Sequence, residues 1–259
     1  MYSQLVAIKQ LENDDRAAMY RLLHHHFSGV NSATFAADLA GKNWVLLIKD
    51  KLDQLKGFST LRLYDITVKG EPLSIVYSGD TIVDPTAWSS ATLPRAWIQA
   101  INQLRHPNRR LFWLLISSGF RTYRLLPTFW QTFYPRYDQA TPEPMQQLMD
   151  TLAQKQFGDN YNPTIGIVRF DQPQKLSPIL GTVPPERCTD PHIQFFKRSN
   201  PDHSQGDELV CLTEICAENL TAAGRRMWFG RNHTAGDCTT SMSQKMKVNG
   251  QWAVGSSRA

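Results

Sequence analysis

One acidic residue interrupts a segment that is otherwise apolar. Residues 73–83 read LSIVYSGDTIV, a pattern typical of a strand, and Asp80 lies near its end. Placing a carboxylate in such a strand costs free energy unless the charge is paired. Asp80 is therefore expected either to take part in chemistry or to have a structural partner, such as Arg121 or the start of a nearby helix.

Other groups of potentially reactive side chains have spacings that argue against chemistry. His24–His26 are consecutive, so on a helix they point about 100° apart and cannot bind one metal ion together. Ser117–Gly119 follows an apolar run, but a serine nucleophile needs an oriented base, and no histidine can be placed beside it. We therefore predict no metal site and no serine triad. The four cysteines form no CxxC pair and are interpreted as structural: Cys188, Cys211, Cys216 and Cys238.

The positive charge of the chain is concentrated in its first half. The formal net charge is +5, and residues 74–140 contain seven arginines, no lysine and three acidic residues. Guanidinium groups bind phosphates and carboxylates through two parallel hydrogen bonds, so this segment suits an oxyanion partner. A solvated basic face explains the same pattern equally well. No nucleic-acid-binding motif accompanies the charge, so nucleic acid is not an expected partner.

The hydrophobic pattern of residues 1–140 predicts alternating strands and helices. A meander of three strands is followed by one helical crossover to a buried strand, which predicts a mixed sheet with helices on both faces. The predicted elements are a strand at Leu5–Ile8, a helix from Asn13 or Asp14 that stops at Gly29, a helical stretch at Ser32–Leu39, strands at Trp44–Ile48, Gly57–Tyr64 and Leu73–Val83, a helix with Leu93–Leu104, a strand at Leu111–Ile116 and a short helix at Thr128–Tyr134.

The rest of the chain is less regular. It predicts a division into residues 1–140, a C-terminal extension at 141–230 that packs on or completes the sheet, and a polar tail at 231–259. Residues 171–191 contain five prolines and are read as a surface loop. The predicted elements of the extension are a helix at Pro142–Phe157, a strand at Ile165–Phe170, a hairpin of Ile193–Phe196 with Glu208–Leu212 and a helix at Glu218–Phe229.

This order of elements, together with three short strings, resembles the GNAT acyltransferase superfamily. The strings are SGDTIVDP at 78–85, SSGFRTYR at 117–124 and GDELVCL at 206–212. The resemblance implies an α/β fold (α+β mixed sheet), GNAT-like over about residues 5–137, with a C-terminal α/β extension. It also implies acyl transfer from a thioester donor to an amine or hydroxyl of a small-molecule acceptor.

In that superfamily a glycine-rich loop before the main crossover helix holds the pyrophosphate of coenzyme A through backbone N–H groups. The corresponding segment here, 86–93, reads TAWSSATL and has no glycine. Its small residues still allow part of the close approach, and its serine hydroxyls can donate hydrogen bonds. The residues that the resemblance implies for binding acyl-CoA phosphates are Ser89, Ser90, Ala91, Arg95 and Arg121.

The resemblance also implies catalytic roles. Asp80 would be the base that removes a proton from the acceptor, and a tyrosine would protonate the leaving thiolate. Tyr134, just before Pro135, and Tyr123 compete for the acid role. Each has an alternative: Tyr134 as a packed aromatic with a satisfied hydroxyl, and Tyr123 as a loop anchor.

Two functions remain open from the sequence. The first is an acyltransferase whose donor is acyl-CoA or an acidic acyl carrier protein; arginines 95, 105, 109 and 110 would attract the carrier. The second is a non-catalytic binding protein in which Trp88 and Trp97 fill the pantetheine groove. An open split between the fourth and fifth strands would indicate the enzyme, and a groove filled by indole rings would indicate the binding protein.

The location of the protein is predicted from what the sequence lacks. The first residues have neither a basic region nor an apolar core like that of a secretory signal. No apolar run approaches the ~20 residues that cross a bilayer. We therefore expect a cytoplasmic protein.

Overall fold

The computed structural model describes residues 1–88 and 91–229. The predicted polar tail and Cys238 lie outside these residues. The strands are β1 Tyr2–Ala7, β2 Phe27–Ser28, β3 Trp44–Lys49, β4 Leu55–Val68, β5 Glu71–Val83, β6 Arg110–Ser117, β7 Tyr161–Asn162, β8 Ile167–Val168, β9 Lys175–Leu176 and β10 Glu208–Glu214. The helices are α1 Asn13–His26, α2 Ser32–Ala40, α3 Thr92–Leu104, α4 Phe120–Tyr123, α5 Leu125–Phe129, α6 Glu143–Phe157, α7 Pro178–Gly181, α8 Pro191–Ser199 and α9 Ala222–Trp228.

Eight of the described strands form one mixed sheet in the order β1-β3-β4-β5-β6-β10-β8-β7. β5 and β6 are parallel and are connected by the crossover helix α3, whereas the other neighbouring strands are antiparallel. The β4–β5 hairpin turns at Lys69 and Gly70, both with positive φ (52° and 86°). The predicted mixed sheet, with a strand meander followed by one helical crossover to a buried strand, is confirmed.

The sheet is covered by helices on both faces. The face called here the α3 face carries α3, α5 and α9, and its core includes Trp97, Trp113 and Trp130. The opposite face, called the α6 face, has two separate apolar clusters. α6 packs over β5, β6 and β10 around Leu152, and α1 and α2 pack over β3 and β4 around Phe58. A polar region therefore lies between these two clusters on one face.

Two predicted elements are wrong. Ile193–Phe196 lies in helix α8 rather than in a strand, because Asp190 caps the helix: its side chain accepts hydrogen bonds from the backbone N–H groups of His192 and Ile193. Pro191 occupies the first turn, where its missing N–H costs nothing. The strand β10 consequently has no hairpin partner there and pairs with β6 and β8.

The second wrong element is the short helix at Thr128–Tyr134. The helix α5 ends at Phe129, and Trp130 has extended backbone (φ −123°, ψ 136°). Tyr134 exchanges two backbone hydrogen bonds with Leu212, 2.9 and 2.8 Å long, so it continues the sheet beside β10. Pairing with an apolar strand thus outweighs the local helical pattern of the aromatic residues.

Candidate functional site

The two parallel strands at the centre of the sheet separate at their C-terminal ends. β5 pairs with β6 from Leu73 opposite Arg110 to Ser78 opposite Leu115. β5 then continues to Val83 and β6 to Ser117 without further pairing between them. This opening is the split that the sequence associates with the enzyme. Open α/β sheets commonly bind ligands where strands end and separate.

A β-bulge lies at the same place. On β4, Ser59 is opposite Thr81 and Leu61 is opposite Ser78, so the single residue Thr60 faces both Gly79 and Asp80. Bulges bend a strand and redirect a side chain, and they are frequent beside active sites. The bulge therefore gives Asp80 an orientation that strand periodicity alone does not predict.

Asp80 is half-buried and has no hydrogen-bond or ion-pair partner among residues 1–88 and 91–229. Burial raises the pKa of its carboxyl to about 7, the nearby Asp38 carboxylate adds to the increase, and Lys42 opposes it. Asp80 does not form the ion pair with Arg121 that was the structural alternative. Asp80 is thus a carboxyl group that changes protonation state near neutral pH.

Lys42 is the buried cation next to this carboxylate. Its Nζ lies 2.5 Å from the carboxylate of Asp38 and 5.3 Å from the centre of the Tyr77 ring. The Lys42 side chain is only 3% exposed and crosses directly over Gly79. Lys42 is therefore held by Asp38, one turn earlier in the chain, and it makes no ion pair with Asp80.

A second carboxylate in this region is Glu208, which the sequence did not single out. It is the first residue of β10 and is half-buried. Burial raises the pKa of Glu208 to about 8, and the Asp80 and Asp38 carboxylates add to the increase. In the sequence, Glu208 is visible only as an acidic residue directly before the apolar run LVCL. The strand order is needed to show that Glu208 lies near the end of β6, in the same part of the sheet as Asp80.

The α3 face of the split is filled by indole rings. The rings of Trp97 and Trp113 lie 4.4 Å apart between centres. Both indole N–H groups donate to the Ser78 hydroxyl, over 3.2 and 2.9 Å. The remaining cavity has a volume of about 50 Å³, room for a water molecule or two, and its lining includes Leu93, Thr81 and Trp130. Trp130 is 1% exposed, and its Nε1 has no partner in the described chain.

The residues expected at the phosphate end lie around the start of α3. Ser89 and Ser90 lie outside the described residues. Ala91 is exposed and precedes the first turn of α3, and Arg95 is exposed on the same helix. The guanidinium of Arg121 stacks on Trp88, 4.2 Å from the ring centre. Burial and the positive charge of Arg187 lower the pKa of Arg121, and its buried Nε has no partner among the described residues.

Tyr123 lies on the α3 face, away from Asp80. It is completely buried, and its hydroxyl donates to the backbone carbonyl of Pro135 over 3.0 Å. Burial raises the pKa of this phenol. The ring packs against Phe133 and Phe195. This placement is that of a packing anchor.

Tyr134 is also distant from Asp80. It pairs with Leu212 beyond β10, so it is three strand positions away from β5. At a spacing of about 4.8 Å between strands, the two backbones are roughly 14 Å apart. Tyr134 is 7% exposed. The structure therefore brings neither tyrosine next to the carboxylate.

The three consecutive histidines, His24–His26, differ in exposure. His26 is buried with its Nε2 3.8 Å from Asp84, whereas His24 and His25 are exposed. Within the described chain, no group of three His, Cys, Asp or Glu side chains is placed to hold a metal ion.

No helix of residues 1–88 and 91–229 is long and apolar enough to cross a membrane.

No protein-family profile and no curated protein matches this sequence. Solved structures do resemble it. One is a probable N-acyltransferase of Enterococcus faecalis V583, with 14% identity, a TM-score of 0.39 and coverage of 51% of this chain. This chain spans only 33% of that protein. A GNAT family N-acetyltransferase of Escherichia coli, solved in complex with CoA, has 15% identity, a TM-score of 0.35 and coverage of 50% and 69% of the two chains.

An acetyltransferase of Trypanosoma brucei is similar to a comparable extent, with 16% identity, a TM-score of 0.33 and coverage of 58% of this chain and 90% of that chain. Identities and TM-scores of this size carry no information about the donor, the acceptor or the reacting residues. Those must be inferred from the side chains of this chain. The described residues form a mixed sheet with a helical crossover between the central parallel strands.

Proposed function

We propose that the protein transfers an acyl group from a thioester donor to an amine or hydroxyl acceptor, with Asp80 as the general base. The observation that carries the proposal is the position of Asp80, at a bulge beside the separation of β5 and β6, without a structural partner among the described residues. A base works best when its pKa lies near the working pH, and Asp80 has a pKa of about 7.

The step assigned to Asp80 is a proton transfer. The acceptor nitrogen or oxygen attacks the thioester carbonyl carbon, and its proton moves to the Asp80 carboxylate. The bond between the carbonyl carbon and sulfur then breaks, and the thiolate leaves with the electron pair. The placement of Tyr123 and Tyr134 gives no support to either as the acid that protonates this thiolate, so its proton is assigned to solvent.

The residues of this chain fit the two ends of coenzyme A differently. At the phosphate end, the unpartnered Nε of Arg121 and the nearby Arg187 suit an anion. Along the pantetheine groove, the rings of Trp97 and Trp113 leave about 50 Å³, which is too little for the arm of the donor. A bound donor arm therefore requires Trp97 to move, and no reaction step is assigned to the arm itself.

A carrier-protein donor has partial support from surface charge. Arg95 is exposed. Arg109 and Arg110 already form ion pairs, Arg109 with Asp65 and Arg110 with Glu214. Fewer cationic side chains than the sequence suggests are thus available to attract an acidic carrier.

The second candidate function is a non-catalytic binding protein. The observation that favours it is the filled groove, because the two adjacent indoles of Trp97 and Trp113, inclined by 40°, donate to the same Ser78 hydroxyl and close the path of a donor arm. Such a protein would retain the split in the sheet without turnover.

Calorimetric titration separates the two candidates. Acetyl-CoA, CoA and an acyl-loaded carrier protein are titrated into the wild type and into Arg121→Gln. The proposal expects binding of at least one thioester, and weaker binding of CoA compounds by Arg121→Gln, since that variant loses the guanidinium whose Nε has no hydrogen-bond partner among the described residues. Absence of binding of every thioester contradicts the acyltransferase. Arg109→Gln, which removes an arginine already paired with Asp65, is the matched control and is expected to bind as the wild type does.

A further inference from the structure

A short segment near the C-terminal ends of β5 and β6, residues 173–177, is called here the strap. It contains β9, which pairs with β2 through only two residue pairs. The Ser177 N–H donates to the His26 carbonyl over 2.9 Å, which attaches the strap to the end of α1. Lys175 Nζ donates to Gln205 Oε1 over 3.0 Å, which attaches it to the chain before β10. The strap therefore connects two distant parts of the molecule.

Three glycines lie where the strap passes over other segments. A Cβ built on Gly29 would lie 2.5 Å from the Pro173 carbonyl oxygen, and one built on Gly206 would lie 2.6 Å from Pro173 Cβ. A Cβ built on Gly119 would lie 2.7 Å from Leu176 Cδ1. Ordinary Cβ atoms do not make contacts this short, and backbone and proline-ring atoms cannot swing aside. Glycine at 29 and 206 thus lets the strap lie close against both segments.

These contacts place the strap across the mouth of the split between β5 and β6. The last paired residues of the two strands are Ser78 and Leu115. On the β6 side, the strap contacts Gly119, which lies beyond Leu115. On the β5 side, the strap is bonded to His26, whose Nε2 lies 3.8 Å from Asp84, beyond Ser78. The strap therefore runs from one side of the mouth to the other.

Asp80 lies on the same face of the sheet as the strap. Ser78 and Thr81 both line the cavity on the α3 face. The two residues between them, Gly79 and Asp80, share the bulge position opposite one residue of β4, so both face the other side, the α6 face. Leu176 of the strap packs against the α1–α2 cluster of that face. The strap and the Asp80 carboxyl are thus on one side of the sheet.

The other approaches to Asp80 are obstructed. The rings of Trp97 and Trp113 fill the α3 face of the split. On the α6 face, the Lys42 side chain crosses directly over Gly79, the neighbour of Asp80. Asp80 is nevertheless half-buried rather than fully buried, so part of it stays in contact with solvent. An acceptor therefore has to approach from the end of the sheet, where the strap lies.

We propose that the strap restricts access to Asp80: small acceptors reach the carboxyl with the strap in place, and bulky acceptors such as protein chains reach it only when the strap is displaced. A segment attached by two strand pairs and a few side chains opens locally at lower cost than the central strands. The selection among acceptors rests on the proposed function, whereas the coverage of Asp80 by the strap does not.

The test compares how fast two reagents of different size label a cysteine at position 80, in protein without substrate. Asp80→Cys is reacted with N-ethylmaleimide and with a short peptide that carries a maleimide, and each labelled position is identified by peptide mass spectrometry. The exposed Cys188 is the internal reference for reagent reactivity. The peptide reagent is expected to label position 80, relative to Cys188, at least about 10-fold more slowly than N-ethylmaleimide does.

A second variant loosens the strap. Leu176→Gly, added to Asp80→Cys, removes the side chain that contacts Gly119 and is expected to speed labelling by the peptide reagent by about 10-fold. Ile179→Gly is the matched control, since this aliphatic side chain lies two residues beyond the strap and is 70% exposed. It is expected to leave the labelling rate unchanged.

Equal labelling of position 80 by the two reagents, relative to Cys188, overturns the proposal, as does an unchanged rate in a folded Leu176→Gly protein. If Leu176→Gly does not fold, the comparison of the two reagents decides. If Asp80→Cys does not fold, amide hydrogen exchange of the wild type decides: the strap is expected to exchange faster than β10, and equal protection contradicts its displacement. No thioester is present, so each result is independent of whether the protein transfers acyl groups.

Discussion

Lys42 occupies the space that a side chain on residue 79 would need. Its Cε lies 2.5 Å from the position of a Cβ built on Gly79. No ordinary Cβ contact is that short, so the absence of a side chain at 79 allows Lys42 to cross the strand and reach Asp38. The ion pair of Lys42 with Asp38 therefore depends on the absence of a side chain at residue 79.

Gly79→Ala is expected to destabilise the protein by roughly 1–3 kcal/mol, because the new methyl group must displace Lys42 or Thr60 from a packed position. Chemical denaturation monitored by tryptophan fluorescence measures the change. Gly181→Ala is the matched control, since the contact nearest to its added Cβ is an ordinary 4.0 Å from Leu176. A Gly79→Ala protein as stable as the control would show that Lys42 does not need this space.

The pH dependence of stability is expected to reveal the two raised carboxyl pKa values. Asp80 and Glu208 have pKa values of about 7 and about 8 in the folded protein, against 3.8 and 4.5 ordinarily. Between about pH 4 and 8 the folded state therefore binds more protons than the unfolded state, so these groups make stability fall as pH rises.

Asp80→Asn removes the contribution of Asp80 to the fall in stability with rising pH. Its denaturation midpoint, relative to that of the wild type, is expected to increase from pH 5 to pH 8. Midpoints at half-unit intervals measure this difference, and Asp159→Asn, at an exposed position, is the control. A difference between Asp80→Asn and wild type that is constant with pH would mean that Asp80 has an ordinary pKa.

Much of the fold follows from local patterns, whereas most of the site does not. The buried run at Leu111–Ile116 and the helix at Pro142–Phe157 are visible as hydrophobic periodicity, and the structure contains both. Asp80 is visible as a charge inside an apolar strand. Glu208 is not, because its proximity to Asp80 depends on β10 pairing with β6 across roughly 90 residues of intervening chain. The same non-local pairing explains why Tyr134 is extended rather than helical.

Trp97→Leu is expected to enlarge the groove and to strengthen thioester binding, because the donor arm then no longer has to displace an indole. The variant is also expected to lose stability, by up to about 3–5 kcal/mol, the range for removing a whole buried aromatic side chain. Isothermal titration with acetyl-CoA measures the affinity. Trp228→Leu makes a comparable deletion in the core, on a tryptophan that does not line the cavity, and is the control.

Equal affinity of wild type, Trp97→Leu and Trp228→Leu for acetyl-CoA would place the donor arm elsewhere. Tighter binding by Trp97→Leu without any turnover would favour the non-catalytic candidate.

The most direct test of the central claim is thiol release from acyl thioesters by the wild type and Asp80→Asn. Acetyl-CoA and an acyl-loaded carrier protein are each incubated with a panel of small amines and alcohols, and free thiol is measured from pH 5.5 to 9. The account predicts acceptor-dependent release by the wild type, rising with pH around an apparent pKa near 7, and a loss of at least about 100-fold in Asp80→Asn. Asp80→Asn with undiminished release and the same pH profile would contradict it.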